Sequence, residues 1–177
     1  RIVAEGCSNK AFLFLNPKKS ITMNQSIIKV FLVDDHQVLL SGLKLLLKDA
    51  SNLEIVGTAC NGKDLLDQLA SFKAKTAAVD VILMDIDMDV MDGHEATGHV
   101  KLLYPDIKII MLTRLDQMPD INKAVGQGAD GFLSKKNSRD KIIDAIFRVC
   151  KTGEFVVYTE FDQQDKLTIP QVNPEIS

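Results

Sequence analysis

VDVILMDIDMDVMDG, residues Val79 to Gly93, changes character half-way along. Val79 to Met84 is a short, mostly apolar run that reads as a buried strand. It then breaks into acid, with Asp85, Asp87, Asp89 and Asp92 close together. A core strand that ends in a carboxylate delivers it to the carboxyl edge of a sheet, where open α/β folds place their ligands. Asp92-Gly93 is a turn signal ahead of the next helix. Alone, the stretch also fits a solvated acidic loop with helix-capping aspartates. The rest of the chain argues for the first reading.

Upstream, Ile27 to Val33 is a first strand, stopped by Asp34-Asp35. Gln37 to Leu47 follows with helical spacing, and Val38, Leu39, Leu43, Leu46 and Leu47 are expected to face the core. Glu54 to Cys60 is a second strand, Asn61-Gly62 a turn, and Leu65, Leu66 and Leu69 place a second helix up to about Phe72. Downstream, a third helix from about His94 to Tyr104 stops before Pro105. Ile107 to Leu112 is a fourth strand leading to Thr113, and about Met118 to Gln127 a fourth helix with Ile121 and Val125 inward. Phe132 to Ser134 is a fifth strand next to Lys135. Ser138 can cap a fifth helix that Gly153 terminates, with Ile142, Ile143, Ile146 and Val149 inward. Apolar strands without strict alternation, separated by helices, predict an α/β fold, (βα)5 over about residues 27–153. The expected sheet is doubly wound, parallel and five-stranded, in the order 2-1-3-4-5 of flavodoxin-like folds. That order sets Asp34-Asp35 beside Asp85.

At 177 residues the chain can bury one substantial core. A net charge of −3 supplies no basic nucleic-acid surface. Cys7, Cys60 and Cys150 are odd in number and far apart, which argues against a disulfide framework or a zinc site. A reducing, cytoplasmic compartment fits, with Cys60 and Cys150 as buried thiols. No apolar run reaches the roughly 18 residues of a membrane span. Met23 precedes the first strand and reads as the biological start, with residues 1–22 a non-native or upstream-translated leader; the alternative is a short amphipathic arm that docks on a partner. Phe155 to Tyr158 reads as a short extension, and Asp162 onward as a polar, proline-bearing tail.

The strand ends converge chemically: Asp34-Asp35, Asp85, Thr113, and Lys135 after the fifth strand. Carboxylates sharing a pocket resist full ionisation together. A hard divalent cation relieves that conflict through carboxylate, carbonyl and water oxygens. Lysine is a mobile point charge suited to a phosphoryl oxygen, and threonine offers a hydroxyl donor. A carboxylate can itself attack phosphorus and form an aspartyl-phosphate. Together the pieces describe phosphoryl transfer onto an aspartate. His36, His94 and His99 lack ligand spacing with a cysteine or with one another and are expected at the surface or its boundary. No glycine-rich loop follows the first strand, so a nucleotide cradle is not expected.

VFLVDDHQVLLSGL, DVILMDIDMDVMDG, IIMLT and GADGFLSK, in that order, closely resemble the receiver (CheY-like) domain of two-component response regulators, most of all the NarL/FixJ type. The likeness covers about Ile28 to Tyr158. It implies that Asp85 is the phosphoacceptor, Asp35 a direct Mg²⁺ (or Mn²⁺) ligand, Asp34 the acid that orders metal-bound water, and the Asp87 backbone carbonyl a further ligand. It implies that Thr113 moves to the phosphoryl group, that Lys135 pairs with it, and that Phe132 occupies the aromatic switch position. It also implies a sensor histidine kinase as partner. A homodimer would form through the first and fifth helices, or through the face made by the fourth helix, fifth strand and fifth helix.

Two departures qualify the resemblance. Where the family usually has proline, this chain has Asp89, and Asp87 adds an acid near the acceptor. Leu167 to Val172 looks like the opening of the helix-turn-helix output domain of NarL/FixJ-type regulators, but no recognition helix follows within the sequence. The expected domain division is a receiver at 23–153 and a linker or tail at 154–177. Transcription control through an absent DNA-binding domain is the leading expectation. The alternatives are a stand-alone receiver and a phosphorylation-independent pseudo-receiver.

Overall fold

The computed structural model describes residues 26–72, 79–114 and 118–158. The expected leader at 1–22 and the tail from Asp162 lie outside these residues. Six parallel strands form one sheet: β1 (Ile28–Val33), β2 (Leu53–Ala59), β3 (Val81–Asp85), β4 (Lys108–Thr113), β5 (Gly131–Ser134) and β6 (Val156–Tyr158), in the order β2-β1-β3-β4-β5-β6. The doubly wound order read from the sequence is present, and Val156 to Tyr158 lengthen the sheet by one strand beside β5.

Helices α1 (Gln37–Leu47), α2 (Gly62–Phe72), α3 (Gly93–Leu103), α4 (Met118–Gly126) and α5 (Arg139–Thr152) connect the strands. Each central strand is buried on both faces, and alternate residues feed two separate cores. Phe31, Val33, Ile82, Met84, Ile109 and Met111 pack with α2, α3 and α4. Val30, Leu32, Val81, Leu83, Ile110 and Leu112 pack with α1 and α5. This two-sided burial is why the strands read as continuous apolar runs.

On α1, Leu47 is buried and Leu43 and Leu46 pack against the core as expected, but Leu40 takes the inward place expected of Val38. Leu40 and Leu47 are buried, whereas Val38 is 85% exposed. At 100° per residue, Val38 and Leu40 stand nearly opposite each other on a helix. Leucines recur so densely here that spacing alone does not fix the phase. Ser138 caps α5 by accepting from the Lys141 amide, and Gly153 ends it in the left-handed conformation at φ 68°.

Strand β6 is fastened to α5 by a polar clasp. Arg148 donates from Nη2 and Nε to the two Glu154 carboxylate oxygens, at 2.7 and 3.2 Å. Its Nη1 donates to the Tyr158 hydroxyl at 2.6 Å, and that hydroxyl donates to Asp144. Burial and the bond to Asp144 push the Tyr158 hydroxyl pKa up.

Candidate functional site

Asp34 follows β1, Asp85 and Thr113 end β3 and β4, and Lys135 follows β5, so all four stand at the carboxyl edge of the sheet. β1 and β3 are neighbours in register, with Val33 opposite Met84, which sets Asp34 beside Asp85. Between them sits the Lys135 ammonium, with Nζ 2.7 Å from Asp34 Oδ2 and 2.7 Å from Asp85 Oδ2. The three side chains are 9%, 1% and 5% exposed for Lys135, Asp34 and Asp85. Asp34 Oδ1 also accepts the His36 amide at 2.9 Å, and Asp85 Oδ1 accepts the Ile86 amide at 2.8 Å. Burial raises the Asp85 pKa; Lys135 pulls it back, and the neighbouring Asp34 adds to the rise.

Asp35 is partly exposed and its Oδ1 lies 2.5 Å from His36 Nδ1. Ligand atoms of Asp34, Asp35, His36 and Asp85 all fall within 4.8 Å of one another. Opposite ligands of an octahedral Mg²⁺ stand about 4.2 Å apart, at about 2.1 Å from the ion. Three carboxylates in that compass match a small divalent cation with modest contraction, and their oxygen donors suit a hard ion.

Among the other expected site residues, Thr113 is buried, pairs in register with Ser134, and accepts the Lys135 amide at its carbonyl at 2.7 Å. Phe132 is fully buried and packs in the core that Ile121 and Ala124 of α4 enter. The Asp87 side chain is exposed and stands outside the acid group.

The loop from Asp85 to Gly93 explains its own sequence. Asp92 caps α3, its Oδ1 accepting the Glu95 amide at 2.7 Å. Gly93 donates its amide to the Ile86 carbonyl, and a Cβ at this position would lie 2.1 Å from the Asp85 carbonyl oxygen. Only glycine permits that approach. Gly93→Ala must therefore move the end of β3 and is expected to cost about 1–3 kcal/mol. A urea midpoint equal to wild type would show that the loop yields instead.

Val90 has φ 72°, and the Met91 amide donates to the Asp89 carbonyl at 2.9 Å. That is a γ-turn of positive φ, a strained arrangement for a β-branched residue. The turn is held where Met91 accepts the Gly62 amide and packs against Gly62, at the start of α2. Val90 is 82% exposed, so its side chain offers little packing in return. Val90→Gly is expected to stabilise the protein by about 1 kcal/mol and raise Tm by roughly 2–4 °C. An unchanged or lower Tm would contradict the strain.

A family model described as the response regulator receiver domain matches residues 30–147. The chain belongs to the response regulator receiver family. The receiver is 35% identical over 149 residues to the response regulator UvrY of Escherichia coli, covering 84% of this chain and 65% of that protein. It is 38% identical over 133 residues to the response regulator protein VraR of Staphylococcus epidermidis, covering 75% and 61%. The receiver thus spans less than two thirds of the length of these relatives. Among solved structures, the signal receiver domain of the response regulator NarL of Mycobacterium tuberculosis superposes with a TM-score of 0.63 at 28% identity, covering 71% of this chain and 98% of that one. Among the described residues, no helix is long and apolar enough to cross a membrane.

Two placements differ from expectation: His94 is buried rather than at the boundary, and Cys60 is exposed. His36 is at the surface as expected, but it also joins the acid group. Cys150 is partly buried, and burial pushes its thiol up to about 11. Sequence reasoning missed His36 because it sought spacing to cysteines and other histidines. The usable signal was adjacency to two aspartates at a strand end. Arg114 was missed as well; its Nη2 lies 3.1 Å from His36 Nε2, and its only sequence signal was its place directly after Thr113.

Proposed function

We propose that this receiver takes a phosphoryl group onto Asp85 from the phosphohistidine of a sensor kinase and so switches an output attached to it. The observation that carries this reading is the buried Asp85 carboxylate, bridged by Lys135 to a second buried carboxylate, Asp34. An Asp85 oxygen attacks phosphorus; the new O–P bond forms as the P–N bond to imidazole breaks, and the electron pair leaves with the nitrogen. Asp34, Asp35, Asp85 and the Asp87 backbone carbonyl would hold Mg²⁺ or Mn²⁺, which supplies counter-charge to the phosphoryl oxygens. Lys135 can turn from the carboxylates to a phosphoryl oxygen, and the Thr113 hydroxyl can donate to another.

The added charge of about −1.5 to −2 would then bias two packings of the edge near Phe132 and α4. The receiver promotes its own phosphorylation and dephosphorylation in this scheme, within the cytoplasm. The output is transcription control, with dimerisation through α1 and α5 or through the α4-β5-α5 face.

The test is intact mass before and after incubation with acetyl phosphate, with and without Mg²⁺, beside Asp85→Asn. One phosphoryl group gained by wild type, and lost in the variant and without the ion, supports the reading. No gain in wild type would favour a pseudo-receiver switched by partner binding alone.

A further inference from the structure

The structure assigns to Arg114 a role in drawing the phosphodonor's anionic phosphoryl group to the pocket, held there by His36. The inference rests on phosphoryl transfer at Asp85 and concerns how the donor is captured. Arginine has only donors, so its 3.1 Å contact with His36 makes Nε2 the acceptor. The imidazole proton then sits on Nδ1, which donates to Asp35 Oδ1. Arg114, His36 and Asp35 thus form one directed chain from the end of β4 to the end of β1. His36 is the positioning residue, and its neutral ring is fixed at both nitrogens.

Charge decides what the guanidinium is for. Asp34 and Asp85 share one buried lysine, Asp35 stands beside them, and Asp87 and Asp89 add exposed acid on the neighbouring loop. A bound divalent cation offsets the inner acids, but a doubly anionic donor still approaches past the outer ones. Arg114 is exposed, directly follows Thr113, and carries a planar fork of N–H donors that matches phosphoryl oxygens. Its bond to His36 orients that fork before any donor arrives, so little side-chain freedom is lost on capture.

The experiment follows phosphoryl uptake by intact mass over time, with Mg²⁺, from acetyl phosphate and from the less highly charged phosphoramidate. Arg114→Ala is expected to lower the second-order rate with acetyl phosphate about three- to tenfold and less with phosphoramidate. The difference should shrink at high salt. His36→Phe, which removes both ring nitrogens, should reproduce part of the loss, and His36→Gln, which can accept from Arg114 and donate to Asp35, should recover it. Equal or faster uptake by Arg114→Ala, or an equal effect on both donors, overturns the proposal.

Failure of the transfer reading gives a different result: wild type gains no mass from either donor. Capture is then judged by titrating inorganic phosphate into wild type in the presence of Mg²⁺ and following the Arg114 Nε–H resonance. A saturable shift that is lost on replacing His36 by Phe supports anion capture, and no shift overturns it.

Discussion

Exchanging Lys135 for methionine is expected to lower the unfolding free energy by about 3–5 kcal/mol at neutral pH. The Lys135 ammonium lies 2.7 Å from a carboxylate oxygen of both Asp34 and Asp85, and all three groups are nearly closed to solvent. Removing it leaves two like charges side by side in a poorly solvated pocket. Folded domains hold only about 5–15 kcal/mol in reserve, so the loss is a large share of the total. The variant should regain stability in acid. With lysine gone, the folded-state pKa of the carboxylate pair rises above its unfolded value, so the deficit is present above the folded pKa and fades as pH falls through it. Urea unfolding at neutral and mildly acidic pH measures both effects. A variant as stable as wild type at neutral pH would mean that water reaches the pocket and screens the pair.

Asp85→Asn is expected to do the opposite for stability while abolishing phosphoryl uptake entirely. Burial, with the neighbouring Asp34 charge added, prevails over Lys135 and leaves the Asp85 pKa raised. A raised folded-state value means that ionised Asp85 subtracts from stability above that pKa and that the penalty is relieved as pH falls through it. Asparagine does not ionise, so this part of the pH dependence should vanish and stability at neutral pH should rise. Lys135 keeps Asp34 as its partner, so no cation is stranded. A less stable variant, or one with wild-type pH dependence, would show that the Lys135 bond to Asp85 outweighs the burial cost. If the expectation holds, the reactive carboxylate is maintained against the stability of the fold, as functional groups often are.

The fold was legible because two-sided burial leaves a coarse signature: apolar strands, each closed by a polar residue. Val79 to Gly93 shows it most fully, since the strand, the acid at its end, the Asp92 cap and the Gly93 close approach all lie in one stretch. On α1, Leu43, Leu46 and Leu47 are legible, but Val38 and Leu40 offer alternative apolar stripes at the first turn, and only packing against the sheet selects between them. Cys60 reads as a core residue from its chemistry, but β2 is an edge strand that ends one residue earlier. Asp34, Asp85 and Lys135, which meet in the pocket, and Thr113 at the same sheet edge were visible in the sequence because topology alone brings strand ends together. His36 and Arg114 were not, since their contact joins residues 78 positions apart through side-chain directions that no spacing rule encodes.

The parallel sense of β6 decides at which edge of the sheet its carboxyl end lies. An antiparallel strand in its place would carry the backbone back to the far edge of the sheet. Here Tyr158 lies opposite Leu133, two residues short of Lys135 on the adjoining strand, or about 7 Å along it. β6 therefore ends at the same edge that holds Asp34 and Asp85, and the Arg148 clasp joins that end to α5. Any load hung on this point pulls on β5 directly, through the backbone pairing of Gly131 to Leu133 with Val156 to Tyr158. The acid pocket and the mooring of the outgoing chain share one short strand.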